Sequence, residues 1–272
     1  MTILHSDKSI GVFDSGIGGL SVLREIRALL PAEKLVYVAD TRYLPYGTKS
    51  PEFITQRALA ISEFLLAQGA KAIVVACNTA TAAAVATLRS RYTQPIIGME
   101  PAVKPAVARS QGGRVGVLAT NSTLASEKFA RLVERYATHA DVSVQPCPGL
   151  VDLVESGDVS SAAAYELVTR YVAPLVQQGC DTLVLGCTHF SFLAPLIQHV
   201  AGPMVAVMDS GAAVAREVKR RLEDNQALAT PLTSSAVTYY TSGESAAVAR
   251  IASQLLQCPI VVERLPDNTI RA

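Results

Sequence analysis

Two cysteines in this chain stand where a thiol can do chemistry. Cys77 ends the apolar run AIVVA and is followed by Asn78-Thr79, and Cys187 ends TLVLG and is followed by Thr188-His189. The segment after each reads as a helix, so each sulfur lies beside backbone N–H groups and a dipole end that favour an anion. A thiol in that setting ionises more readily than the usual pKa of about 8.5 implies. Cys147, Cys180 and Cys258 lack such a setting and read as packed apolar residues. Other apolar runs also end in polar groups: Asp14 after IGVF, Asp40 after LVYVA, Thr120 after VGVLA and Asp209 after VAVM. Ligands of open parallel sheets bind outside the carboxyl ends of the strands, which makes these termini the first place to look. Asp and Thr there could simply cap the following helices. Cysteine is a poor cap, and that singles out the two thiols.

Paired thiols admit few reactions. Redox exchange normally uses a local C-x-x-C, which is absent, and a zinc site wants four ligands, for which no second Cys/His cluster exists. A Cys187–His189 hydrolase is conceivable but leaves Cys77 without a role. Stereoinversion at an acidic C–H, with a base on one face of the carbon and an acid on the other, uses both sulfurs. The run Asp14-Ser15-Gly16-Ile17-Gly18-Gly19 sits where a phosphate loop would. It fails the dinucleotide spacing at Ser21, and no G-K-[ST] occurs. Its glycines read instead as a tight turn that brings backbone N–H groups to a carboxylate. With no metal cluster, phosphate loop or Schiff-base lysine motif, no cofactor and no metal are expected.

The elements that must position these groups are short β-branched runs, among them SIGVF, KLVYVA, KAIVVA, RVGVLA, DTLVLG and AVTYY, most followed by a segment of helical period. Ser50-Pro51-Glu52 opens one helix with a capping serine and proline at its first position, and Gly69 closes it. Strand and helix in alternation predict an α/β fold with doubly wound parallel sheets. The chain also resembles itself: Gly116 repeats Gly11 after 105 residues, Cys187 repeats Cys77 after 110, and Asp209 repeats Glu100 after 109. Two similar domains related by pseudo-twofold symmetry are expected, the first from residues 1–97 with 211–272 and the second from 98–210. Of the 272 residues half are hydrophobic and 17% charged, which excludes a disordered chain. Lys plus Arg (24) against Asp plus Glu (23) leaves a net charge of +1, no bulk field for nucleic acid or an anionic membrane. No apolar run reaches the roughly 18 residues of a spanning helix, and MTILHSDKS lacks a secretory apolar core, so a cytoplasmic protein is expected.

Eight segments in order, FDSGIGGLSVLREI, ADTRYLPYGTKS, VVACNTATA, GMEPAVKPA, GVLATNSTLAS, CPGLVDLVESG, LVLGCTHFSFL and DSGAAVA, resemble the glutamate racemase family. The resemblance spans nearly the whole chain. It implies a cofactor-independent enzyme that interconverts L- and D-glutamate and supplies D-glutamate for peptidoglycan, with two α/β domains, the active site in the cleft between them, and a homodimeric assembly. It implies that Cys77 takes the α-proton of D-glutamate and Cys187 that of L-glutamate, supported by Asp14, Asp40, Glu155 and His189. It also implies that Asp14, Ser15, Tyr46, Gly47, Asn78, Thr79, Thr120, Thr123 and Thr188 hold the substrate's carboxylates and ammonium. Phe190-Ser191 stand where the family often has Tyr-Pro, and Ala39 where glycine is common; neither alters a proton-transfer atom. With about nine residues before the first strand, a large N-terminal extension of the kind that the resemblance links to activation by a peptidoglycan precursor is not expected. Other readings are a two-cysteine racemase acting on aspartate or a hydantoin, and a binding protein whose cysteines merely line the site.

Overall fold

The computed structural model describes residues 7–136, 138–230 and 236–271, the last without its side chain. The chain forms two compact units, one running to Met99 and resuming at Gly211, the other spanning Glu100–Ser210. Each is built on a wholly parallel sheet.

In the first unit, strands β1 (Ile10–Asp14), β2 (Leu35–Ala39), β3 (Ala72–Val75) and β4 (Ile96–Ile97) lie in the order β2-β1-β3-β4. Every residue of these four strands is buried. Such uninterrupted apolar runs are what helices covering both faces of a parallel sheet require. Phe13, Val38, Ile61, Leu65, Ile73 and Val75 share one cluster of this core, each burial contributing roughly 1.5–3 kcal/mol. In the second unit, β5 (Arg114–Ala119), β6 (Asp141–Pro146), β7 (Thr182–Leu185) and β8 (Ala206–Met208) repeat that order as β6-β5-β7-β8.

The repeat extends to packing. A Cβ on Gly11 would meet Leu65 at 3.0 Å, and one on Gly116 would meet Leu183 at 2.7 Å and Leu175 at 2.9 Å. Leu65 and Leu175 both belong to the helix that leads into the third strand of its unit, Pro51–Ala67 and Ala162–Gln177. The matching glycines thus let matching helices approach the first strand of each sheet.

After β8 the chain forms helix Gly211–Asp224, β9 (Val237–Thr241), helix Ser245–Leu256, β10 (Val262–Arg264) and the short helix Asp267–Arg271. β9 pairs with β2 in parallel and β10 with β9, which widens the first sheet to six strands. Ser50 caps helix Pro51–Ala67 by accepting from the Phe53 N–H, and Gly69 follows it at φ +80°. Among the described residues β6 is the strand that the apolar runs do not announce. Its sequence DVSVQP alternates polar and apolar, and none of its residues is buried, because it lies at the edge of its sheet.

Candidate active site

The first unit gathers one group of candidate residues at the carboxyl ends of β1, β2 and β3. Asp14, the last residue of β1, is fully buried, and its Oδ1 accepts from the Ser15 hydroxyl at 3.0 Å and the Gly16 N–H at 2.7 Å. Tyr37 on the adjacent β2 donates to the Gly16 carbonyl at 2.7 Å, which pins the turn from the other side. Gly19 closes this packing: a Cβ there would lie 2.6 Å from that of Asp14 and 2.9 Å from the Tyr37 hydroxyl. The Ser15 Oγ lies 3.7 Å from the Cys77 Sγ, which links the carboxylate to the thiol through one hydroxyl. Cys77 follows β3 by two residues and is 6% exposed.

Contrary to the sequence-based expectation, Cys77 caps a helix. Its Sγ accepts the Ala80 N–H at 3.4 Å at the start of Asn78–Arg91, whereas the Asp40 side chain does not cap the turn Thr41–Tyr43 that follows it. The sulfur therefore sits on the positive end of a helix dipole, as an anion there would favour. Asn78 is buried, and among the described residues neither its amide nitrogen nor its amide oxygen has a hydrogen-bond partner. An orphaned amide of this kind is costly unless something fills its bonds. Thr79 is buried beside it.

Asp40 is also fully buried, but both its oxygens are engaged. Arg57 grips them through Nε and Nη2, each at 2.9 Å, and the Tyr46 hydroxyl donates to Oδ2 at 2.6 Å. Tyr46 begins a single 3₁₀ turn, Tyr46–Thr48, in which Gly47 is partly exposed.

The second unit places Cys187 at the equivalent point, two residues past β7 and 9% exposed. His189 lies in the 3₁₀ turn Thr188–Phe192 that follows, with Nδ1 3.7 Å from the Cys187 Sγ and Nε2 2.6 Å from Glu155 Oε1. Glu155 arrives on helix Leu150–Ser156. Burial works against a charged imidazole, yet the hydrogen bonds to Cys187 and Glu155 outweigh it and hold the His189 pKa well above its usual value. The protonated ring donates at both nitrogens, to the sulfur and to the carboxylate. Thr120 follows β5 directly and caps the turn Asn121–Leu124, accepting the Thr123 N–H at 3.3 Å and donating to Thr123 Oγ1 at 3.0 Å. Thr123 and Thr188 are buried.

Residues 10–218 match the model of the Asp/Glu/hydantoin racemase family. The chain belongs to that family. Its curated relatives include the glutamate racemase of Ectopseudomonas mendocina, 56% identical over 241 residues that cover 88% of this chain and 91% of that one. Among solved structures it is similar to the glutamate racemase isoform RacE1 of Bacillus anthracis, at 33% identity and a TM-score of 0.88, covering 97% of this chain and 99% of that one. It is also similar to the Escherichia coli glutamate racemase solved with L-glutamate and the activator UDP-MurNAc-Ala, at 33% identity and a TM-score of 0.83, covering 94% and 98%. With such relatives over most of its length, this family member is an amino-acid racemase.

The candidate site contains neighbours that no motif announced. Tyr37 and Arg57 lie within a strand and a helix, where their types read as core and surface; only their hydrogen bonds reveal what they hold. Cys147 is buried in the second unit and donates to the Gln145 carbonyl at 3.2 Å. Burial, reinforced by the nearby Cys187, pushes its pKa far up, so it stays a neutral thiol. Cys180 is buried as expected of a packing residue, and Cys258 is half-buried.

Proposed function

We propose that this racemase interconverts L- and D-glutamate without a cofactor, by a two-base, two-cysteine proton transfer at the α-carbon. A thiolate at one cysteine takes the α-proton, and the thiol of the other delivers a proton to the opposite face. The substrate leaves inverted, and the sulfurs exchange protonation states until solvent resets them. Cys77 is assigned to the proton of D-glutamate and Cys187 to that of L-glutamate.

The observation that carries this reading is the placement of each cysteine after the third strand of its own sheet, each with a proton-handling group in contact. On the Cys187 side the partner is His189, whose imidazolium stabilises a thiolate and is itself held by Glu155. On the Cys77 side Ser15 stands between the sulfur and Asp14. A carboxylate beside a thiol opposes its ionisation, so Asp14 suits the substrate ammonium or a proton in transit. Asn78, Thr79, Ser15, Tyr46 and Gly47 on one side, and Thr120, Thr123 and Thr188 on the other, are assigned to the substrate's polar groups, the unpartnered Asn78 amide being the clearest candidate. The product serves peptidoglycan synthesis in the cytoplasm, and the working assembly is a homodimer.

The test is polarimetric. Purified, chelator-treated protein mixed with either enantiomer of glutamate should bring the optical rotation to zero at equal amounts of both. A persistent rotation with glutamate and its loss with aspartate or a hydantoin would reassign the substrate.

A further inference from the structure

We propose that Arg57 is a positioning residue of the Cys77 half-site, acting through Asp40 on Tyr46 and the turn Tyr46–Thr48, and held in place by carbonyls near the end of the chain. The inference rests on the reading of Tyr46 and Gly47 as substrate-holding groups.

Arg57 sits in helix Pro51–Ala67 with its side chain fully buried. One edge of its guanidinium grips both oxygens of Asp40, while Nη1 donates to the carbonyls of Thr269 at 2.8 Å and Ile270 at 3.2 Å. The ring of Tyr43 covers it at 4.4 Å, and the Tyr43 hydroxyl donates to the same Ile270 carbonyl. Removing a cation so enclosed from water is costly, and only a closed set of partners makes it tolerable. The set has an outlet. Asp40 Oδ2, shared between Arg57 and Tyr46, accepts the hydrogen bond of the phenol, so Tyr46 is fixed as a donor to Asp40. Burial first, and then Asp40, keep the phenol protonated far above neutral pH. Tyr46 in turn packs in the cluster that contains Cys77 and Ala80. What the network orients is therefore the turn beside the thiol. With both oxygens held by strong donors, Asp40 is a positioning residue as well, not a proton carrier.

The experiment is a double-mutant cycle in the full-length enzyme, with Arg57→Lys, which keeps a cation but loses the fork, and Tyr46→Phe, which removes the shared proton. Arg57→Lys should raise KM for glutamate about tenfold with kcat within about threefold, and leave both limbs of the pH profile in place. Tyr46→Phe should act in the same direction, and the double variant should be no worse than the poorer single one. Full additivity in kcat/KM, or a shifted pH limb, would overturn the proposal. If Arg57→Lys does not fold, Asp40→Asn with Tyr46→Phe runs the same cycle with the same criteria. Should wild type fail to racemise glutamate, the substrate reading falls while the positioning role is decided by iodoacetamide labelling of the free protein, resolved by peptide mass spectrometry. Faster labelling at Cys77 by about threefold or more with Cys187 unchanged supports it, and an unaltered Cys77 rate overturns it.

Discussion

The two sulfurs proposed to act on the substrate are chemically alike and electrostatically different. Cys187 faces an imidazolium braced by Glu155, while Cys77 has a backbone N–H and a serine hydroxyl, with a carboxylate one step further. On the proposed two-base mechanism, replacing either cysteine with alanine removes the base for one direction and the acid for the other, so racemisation in both directions should fall by more than about 10³-fold. Proton NMR in deuterated water resolves the halves: Cys187→Ala should still exchange the α-hydrogen of D-glutamate, and full racemase activity in either variant would end the two-base reading. His189→Asn cannot slow one direction alone in kcat/KM, because enantiomers have equal free energy in water. The expected result is an equal fall in kcat/KM from both sides, with kcat lower and the α-deuterium isotope effect larger from L-glutamate. His189 also ties stability to pH. Its folded pKa is raised, so its contribution is complete below the unfolded value of about 6.5 and is lost as pH climbs through the folded value. Denaturant titrations of wild type and His189→Asn should therefore differ most at mildly acidic pH and converge on the alkaline side; a gap that widens with pH would contradict the imidazolium.

Elements carry these side chains, and one buried ion pair shows how the outlying elements are held. Lys71 Nζ, just before β3, contacts Glu33 Oε2 at 2.6 Å, just before β2, with both side chains at most 1% exposed. Lys71 also donates to the Ala227 carbonyl at 2.7 Å, and Glu33 accepts the Ala229 N–H at 2.8 Å, which ties the chain beyond helix Gly211–Asp224 to the amino end of the first sheet. Lys71→Met strands a carboxylate in the interior and should cost about 3–5 kcal/mol in a urea melt, whereas pairing it with Glu33→Leu should recover much of that loss. A double variant as unstable as the single one would show that the backbone contacts, rather than the charges, hold this corner. The helices and strands were legible wherever a face is uniform: β1 to β3 are apolar runs, and Ser50-Pro51 with Gly69 bounds its helix by capping and left-handed backbone rules. β6 was not legible, because an edge strand with no buried residue carries no apolar signature.

At the scale of the molecule, the proposed site, with two sets of polar groups, measures the distance between a substrate's two carboxylates. Aspartate, one methylene shorter, leaves one set unpaired, so kcat/KM for aspartate should lie at least about 100-fold below that for glutamate; comparable values would sink the substrate assignment while sparing the chemistry. The sequence by itself determined the class of fold, the internal repeat and the two thiols, because parallel strands buried on both faces must be apolar throughout and a reactive residue at their carboxyl ends then stands out against them. Asp14 and Ser15 stood out at a strand end and His189 beside its thiol, but their roles and the choice of Glu155 came through a family likeness, and their contacts came only from the folded chain. What tertiary structure alone decided is the partnership of groups distant in sequence. Glu155 meets His189 across 34 residues and Arg57 meets Thr269 across 212, and neither spacing leaves a periodic trace. It also decided that Cys77 caps a helix and that Asp40 is gripped on both oxygens. Propensity and pattern act along a few residues, whereas a buried hydrogen bond is set by which strands and helices are brought side by side.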